Sequence, residues 1–518
     1  MSPFTPFLLM ALPGLPIAAG WAARGCPPAL AGRLVRWAAG VAVGLAVLVA
    51  VRLILQGPQT ARWAPFGPDA AFAFALRLDA VSALMVVLVT FLGSVVLRFS
   101  QPYLAGDPHQ SRFLSWMSLT LGSVVLLVLA GQLLLLLGAW ISTSLCLHRL
   151  LLHYPERQGA VFSARKKFVV SRLGDACLLA AALTLYAHHH TFDLAALFAR
   201  LADGRLEGVA PAGLLLAGCA MLKSAQFPFH SWLPDTMETP TPVSAFMHAG
   251  IINGGGFLVV RLAPVFAHAP QASHLLAVVG ALTAAFGAIV MLAQPSVKRA
   301  LAFSTIAQMG FMILQCGLGA YGLALLHIAA HSLYKAHAFL TAGSTIGAVP
   351  RTAVPLRTPA LTLGVLVGGL FVALGATAVQ VLAPMMPTPS RVFGVVLALA
   401  VAYGLARAWS SGGGARTIGR GFIAAAVITG LSLGLHALAS SLFAGLPVVQ
   451  TPVILLVVVG LIFAGLFLFQ ALLWRTNRHP VGRRFYVHAL NGFYVGTVFN
   501  RILRRLWPRQ SPPASFPA

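Results

Sequence analysis

The sequence predicts an all-α polytopic membrane protein of about fifteen transmembrane helices, and three observations carry that prediction. Of its 518 residues 58% are apolar and 9% charged, with mean hydropathy +0.87, too little polar surface to cover a water-soluble globule. Apolar runs near the roughly 20 residues a spanning helix needs recur along the chain. The arginines concentrate in the connections between them.

In order, the runs fall at about 4–23, 34–56, 77–99, 113–131, 132–152, 167–187, 210–232, 240–263, 272–293, 299–317, 320–347, 359–383, 391–410, 420–443 and 451–474. The first has no basic segment before it and reads as a span, not a cleaved signal. With the N-terminus outside, the inner connections hold Arg24, Arg33 and Arg36; Arg98 and Arg112; Arg157, Arg165, Lys166 and Lys167; Lys298 and Arg299; Arg351 and Arg357; Arg416 and Arg420; and the tail. The outer connections near 264–271 and 444–450 carry no charge, and the one at 188–209 is slightly acidic. This is the positive-inside pattern. It supports an odd number of spans with the C-terminus in the cytoplasm.

The net charge of +25 is therefore a topology signal and not a nucleic-acid footprint. Cys26, Cys146, Cys177, Cys219 and Cys316 are scattered without a CxxC pair, which argues against disulfides, iron–sulfur clusters and structural zinc. No phosphate loop or dinucleotide fingerprint is present, so any redox or hydrolytic chemistry belongs to a partner. The organisation reads as N-terminal helices over 1–112, a conducting core over 113–350, C-terminal helices over 351–474, and a basic tail over 475–518. The tail mixes arginines with Phe485, Tyr486, Phe493, Tyr494 and Trp507, which suits a helix in the inner interface; a docking surface for a soluble partner is the competing reading. Ser511–Ala518 has a disordered composition.

Only five lysines occur, against thirty arginines. Lys223, Lys298 and Lys335 lie in or at the ends of apolar stretches, where a charge is costly. Lysine can release its proton when desolvated and arginine in effect cannot. His248, His327 and His331 have similar surroundings, and His327, His331 and Lys335, at i, i+4 and i+8, share one helix stripe. All ten acids lie at or before Glu238, and the remaining 280 residues have none. Ion chemistry is therefore expected in the first two thirds, with the last spans as scaffold. His188-His189-His190, in an outer connection, reads as solvent-facing.

The segment Lys223-Ser224-Ala225-Gln226-Phe227-Pro228-Phe229-His230-Ser231-Trp232-Leu233-Pro234-Asp235, followed by Glu238, is the most specific in the chain. Pro228 and Pro234 remove amide donors and clash with the preceding turn, so the seventh span is expected to break near Lys223. Such breaks mark ion paths in transporters.

KSAQFPFHSWLPDTMETPTPVSAFMHAG resembles the signature of the proton-translocating antiporter-like subunits of respiratory complex I (subunit L type) and of Mrp-type sodium/proton antiporters. The resemblance continues through SVKRALAFSTIAQMGFM (296–312) and LLHIAAHSLYKAHAFLTAGS (325–344), and more weakly through LRLDAVSALM (76–85) and KKFVVSRLGDACL (166–178), covering about 76–350. It implies a bundle with two inverted five-helix repeats, each with a broken helix. It makes Lys223 the central lysine, His248 the eighth-helix proton carrier, and His327, His331 and Lys335 the histidine-rich helix; Lys298 is included in the path.

Two departures narrow the branch. The family's fifth-helix glutamate follows a tryptophan, but here Trp140 is followed by Ile141. Asp175, near Arg172, is the remaining candidate carboxylate for Lys223, an Arg172–Asp175 structural pair being the alternative. His148, on the face of Ile141 and Ser144, is a candidate substitute carrier. The second departure is the stretch 359–410, which has neither lysine nor acid, so the second half-channel is degenerate. Together with the short C-terminus, these features resemble the membrane subunit of the DAB inorganic-carbon accumulation complex (DabB-like). That resemblance implies conduction of H⁺ or Na⁺, coupled to CO₂ hydration by a soluble cytoplasmic β-carbonic-anhydrase-like subunit (DabA-like). Zinc is expected in that partner, and no cofactor or metal in this chain. A pumping subunit of a quinone-reducing dehydrogenase or hydrogenase, and an Mrp-type antiporter component, are the rival readings.

Overall fold

The structure, a computed structural model, describes residues 4–63, 74–345, 358–382, 390–410, 414–447, 449–476 and 480–506. Arg351, Arg357, Arg478, Trp507 and Ser511–Ala518 lie outside them. The described residues form a helical bundle. α1 (Phe4–Ala23) and α2 (Pro28–Gln56) are followed by a two-stranded antiparallel hairpin, β1 (Gln59–Trp63) and β2 (Phe74–Leu78), with Gln59 opposite Leu78 and Trp63 opposite Phe74. Then come α3 (Ala80–Tyr103), α4 (Gln110–Leu129), α5 (Leu133–Leu151), α6 (Gln158–His189), the short α7 (Leu194–Ala202) and α8 (Val209–Lys223). α9 (Trp232–Asp235), α10 (Thr241–Ala249), α11 (Gly254–Arg261), α12 (Ala263–Ala267), α13 (Pro270–Ala293), α14 (Val297–Gly317) and α15 (Tyr321–Leu340) complete the buried core. α16 (Thr358–Leu382), α17 (Ser390–Ser410), α18 (Gly414–Leu442) and α19 (Val453–Thr476) follow, then the tail helices α20 (Pro480–Leu490) and α21 (Val495–Leu506).

Among the described residues twelve helices are long and apolar enough to cross a membrane. The other three expected spans correspond to α8, cut short at Lys223; to α15, its apolar character diluted by three histidines and a lysine; and to α16, of which Thr358–Phe371 is an apolar segment. The hairpin departs from an all-helical chain. So does the start of the sixth helix, at residue 158 and not 167. The earlier start carries Lys166 and Lys167 into the bundle, 0% and 3% exposed, where the sequence had placed them in a connection.

One end of the bundle is organised by Asp79. Its carboxylate caps α3 by accepting from the Ser82 amide at 2.9 Å, and it accepts from Arg77 Nε at 2.9 Å and Arg261 Nη1 at 2.7 Å. Arg261 also donates to the Val128 carbonyl at 3.1 Å, so one acid ties α3, α4 and α11. At the opposite end Asp107 joins two connections, 3.1 Å from His153 Nε2 and accepting from the Tyr154 hydroxyl at 3.4 Å. The tail helices lie at this second end, where Gln294 Nε2 donates to the Leu490 carbonyl at 3.1 Å.

Burial raises the pKa of Asp79, but Arg261, the Ser82 amide and Arg77 outweigh it and hold the carboxyl at about 2, against 3.8 for the free group. The depressed value means that the associated stability, on the order of 2 kcal/mol, is complete above 3.8 and is lost as pH falls through 2. Asp79→Asn should lower the melting temperature of the purified protein at neutral pH, with the gap to wild type closing as the solution is acidified. Equal melting temperatures at pH 7 would refute this role.

Candidate functional site

α8 stops at Lys223. Ser224 follows as its C-cap, Ala225 takes a left-handed conformation (φ 49°), and the chain continues as a single turn at Phe229–Ser231 before α9. Inside a membrane the backbone groups released by such a break need partners from protein or from a hydrated cavity, and several have found protein ones. The Ser224 amide donates to Ala220 at 2.9 Å, the Gln226 amide to Met221 at 3.0 Å and the Phe227 amide to Thr283 Oγ1 at 3.0 Å; Gln226 Nε2 donates to the Ser224 carbonyl at 2.8 Å.

A second break, not anticipated from sequence, lies beside the first. The eighth span divides into α10 and α11 around a turn at Ile251–Asn253. Ser224 Oγ donates to the Ile252 carbonyl at 2.7 Å, and Asn253 Nδ2 to the Ala249 carbonyl and Ser332 Oγ, both at 2.9 Å. The run Gly254-Gly255-Gly256 was the available signal. A Cβ at Gly255 would stand 2.4 Å from Ser224 Oγ and 2.5 Å from the Ala220 carbonyl oxygen. Only glycine lets the two interrupted helices approach this closely.

His248, at the last turn of α10, stacks on Phe339 with ring centroids 4.4 Å apart. Its Nδ1 is 3.0 Å from Thr305 Oγ1, whose hydroxyl donates to the Leu301 carbonyl at 3.0 Å. Nδ1–H is therefore the donor, and Nε2 has no hydrogen-bond partner among the described residues. Lys335 Nζ donates to the same Leu301 carbonyl at 3.1 Å. One turn up α15, the His331 and His327 rings are 6.0 Å apart, and His327 Nδ1 meets Gln315 Oε1 at 3.0 Å. The predicted stripe of His327, His331 and Lys335 is thus continuous with His248 through Thr305 and Leu301.

Lys223 rests its ammonium on the face of Trp140, 4.3 Å from the ring centroid, a cation–π contact. Asp175, expected as its carboxylate partner, instead makes a direct pair with Arg172 at 2.6 Å and acts on Lys223 at longer range. An arginine one turn away on α6 outcompetes a lysine on another helix. One turn beyond Trp140 on α5, Ser144 receives Lys167, whose Nζ donates to its carbonyl and hydroxyl at 2.8 Å each. His148 lies one turn further along α5, its ring 5.2 Å from that of Phe168.

Lys166 faces the other way. Its three donors meet three acceptors, Asp235 Oδ2 at 2.7 Å, the Ser231 carbonyl at 3.1 Å and Asn500 Oδ1 at 2.6 Å. Asp235 and Ser231 belong to the broken helix and Asn500 to α21, so one buried ammonium fastens the tail beneath the break. Phe499 covers it at 5.3 Å, and Phe493 packs on Phe286 at 6.0 Å.

The structure therefore gathers Lys223, Asp175, Arg172 and His148 around α5, α6 and α8, and His248, His327, His331 and Lys335 around α14 and α15. It leaves Lys298 aside, partly exposed at the first turn of α14, one turn before Leu301. Pro228 and Glu238 are exposed and Pro234 is buried. His189 is buried while His188 and His190 are exposed, a partial exception to the solvent-facing reading. Sequence reasoning missed Lys166, Lys167, Ser144, Thr305, Gln315 and Asn500; only the adjacent lysines in an otherwise arginine-rich chain gave a signal.

The family described as "NADH:quinone oxidoreductase/Mrp antiporter, TM" matches residues 130–362, and "NADH-Ubiquinone oxidoreductase (complex I), chain 5 N-terminus" matches 63–114. A protein of Halothiobacillus neapolitanus named a probable inorganic carbon transporter subunit, DabB2, is 37% identical over 98% of this chain and 95% of its own length. Another of that name, DabB of Hydrogenovibrio crunogenus, is 45% identical, over 51% of this chain and 52% of its own. Among solved structures, a chain of the Mrp complex of Dietzia sp. DQ12-45-1b superposes with a TM-score of 0.67 at 25% identity, over 96% of this chain and 59% of that one.

The docking of α21 can be trapped. A Cβ at Gly496 would lie 3.3 Å from Ser231 Cβ, close to disulfide geometry. A Gly496→Cys/Ser231→Cys variant should form that bond under mild oxidation, detected as a linked peptide by mass spectrometry, and adding Asn500→Leu should slow it severalfold. Failure to link would show that the tail does not sit beneath the break.

Proposed function

Because the chain belongs to the DabB-type family of inorganic-carbon transporter membrane subunits, within the wider set of complex I and Mrp antiporter-like subunits, we propose that it conducts protons inward and couples their flow to CO₂ hydration by a soluble zinc-containing partner of carbonic-anhydrase type. The observation that carries this reading is the run of ionisable groups through a membrane interior: His327, His331, Lys335 and His248 joined through Thr305 and Leu301, with Lys223 at the adjoining break. Ionisable groups inside a membrane are retained for function. In this reading the end bearing the tail is cytoplasmic and the proton enters near His327.

The chain's own residues supply transport. Lys223 can take and release a proton as its surroundings change, which arginine in its place cannot do. Each charge moving down 100 mV releases roughly 2.3 kcal/mol, enough to bias a hydration equilibrium. The partner would receive this at the tail-bearing end, where α21 is fastened to the broken helix through Lys166.

Co-expression with the soluble partner in a host lacking carbonic anhydrase should restore growth in air only when both chains are present. Rescue by this chain alone would overturn the coupling role, and co-purification with quinone-reductase subunits in place of a zinc protein would favour the dehydrogenase reading.

Lys223→Ala and Lys223→Arg should each reduce uptake per assembled complex by about tenfold or more, the scale of a lost proton-transfer group. An active arginine variant would make Lys223 a fixed charge and not a carrier.

A further inference from the structure

Lys167 is a buried ammonium for which the path above has no use. It forms no ion pair among the described residues, and its hydrogen bonds go only to the neutral oxygens of Ser144. The groups that act on it come from three helices: Lys223 on α8, Arg172 and Asp175 on α6, and Cys146 and His148 on α5. Arg172 and Asp175 are paired at 2.6 Å and neutralise each other. Among the described residues that leaves two lysines in one interior with no carboxylate paired directly to either, so protons on both would repel with little compensation. A single proton shared between them removes that conflict.

Lys223 rests on Trp140 and Lys167 on Ser144 one turn further along α5; His148 follows after one more turn, its Nδ1 buried without a hydrogen-bond partner among the described residues. His148 lines a cavity of about 250 Å³ with Leu152, Val161, Arg165 and Phe168, at the end of α5 and the first turns of α6, the bundle end that also carries the tail. Three titratable groups thus run from the break in α8 to an opening.

We propose that Lys167 is a proton-carrying residue of the exit route, taking a proton from Lys223 and passing it to His148 and the cavity. The step is proton transfer alone: an N–H bond of one ammonium breaks as one forms on the receiving nitrogen, and no co-reactant is needed. The proposal rests on the proton-conducting reading above and adds to it the residues by which protons leave.

The test is bicarbonate accumulation per assembled two-subunit complex, with and without an uncoupler, in wild type and in Lys167→Arg, Lys167→Met and Lys167→His. Arginine keeps the charge and can donate to Ser144, but keeps its proton. Assembled Lys167→Arg and Lys167→Met complexes should be slower by about tenfold or more, with Lys167→His retaining more activity than either. Wild-type accumulation indifferent to the uncoupler would sink the proton-conducting reading itself. Uncoupler-sensitive wild type with an active Lys167→Arg would leave that reading standing and overturn only the role of Lys167. Failure of both Lys167→Arg and Lys167→Met to assemble would make the amine structural and overturn it as well.

Discussion

Breaking a helix inside a membrane is possible only where protein replaces the hydrogen bonds that the helix loses, and this constraint organises the centre of the bundle. Two adjacent spans break side by side, and the elements around them supply the missing partners. Ser224, at the end of α8, donates to Ile252 in the turn between α10 and α11, while Thr283 on α13 takes up the Phe227 amide and Asn253 reaches α15. Gly255 allows the contact. Because the repair draws on α8, α10, α11, α13 and α15 together, it also fixes where Lys223 and His248 stand, and the ion chemistry follows from the backbone problem.

Charge is arranged by the same scarcity of polar partners. With no acid beyond Glu238, the cations of the later helices depend on carbonyls and hydroxyls: Lys335 and Thr305 share the Leu301 carbonyl. Earlier in the chain the carboxylates are already committed. Asp79 is held by Arg77 and Arg261, Asp175 by Arg172, and Asp235 by Lys166. Lys223 is left with an aromatic face and Lys167 with a serine, and those two under-compensated amines occupy the interior between the break and the end of α5.

The adjacent pair Lys166 and Lys167 shows how one helix face can serve two purposes. Neighbouring residues on a helix point about 100° apart, so one amine turns toward Asp235 and α21 while the other turns toward Ser144 and Lys223. A displacement of the tail would be felt at Lys166 and, one residue on, at the lysine beside the proton path. The two lysines thus place the tail and the interior of α5, α6 and α8 one residue apart on α6.

Local sequence determined a good deal about this protein. Apolar run length gave the helices, Pro228 and Pro234 gave the broken helix, and the spacing of His327, His331 and Lys335 gave a single stripe, because each depends on residues close in the chain and on helix periodicity. Tertiary structure decided the partners. It showed that α6 begins early enough to bury two lysines, that Asp175 pairs with Arg172 and not Lys223, that the eighth span breaks beside the seventh, and that Asn500 meets Lys166 across the whole core. Apart from the i, i+3 spacing of Arg172 and Asp175, which left that pair as one of two readings, none of these is written in a period of 3.6 residues. They follow from how close glycine and serine let particular helices come, and from which of several competing cations a few buried acceptors can reach.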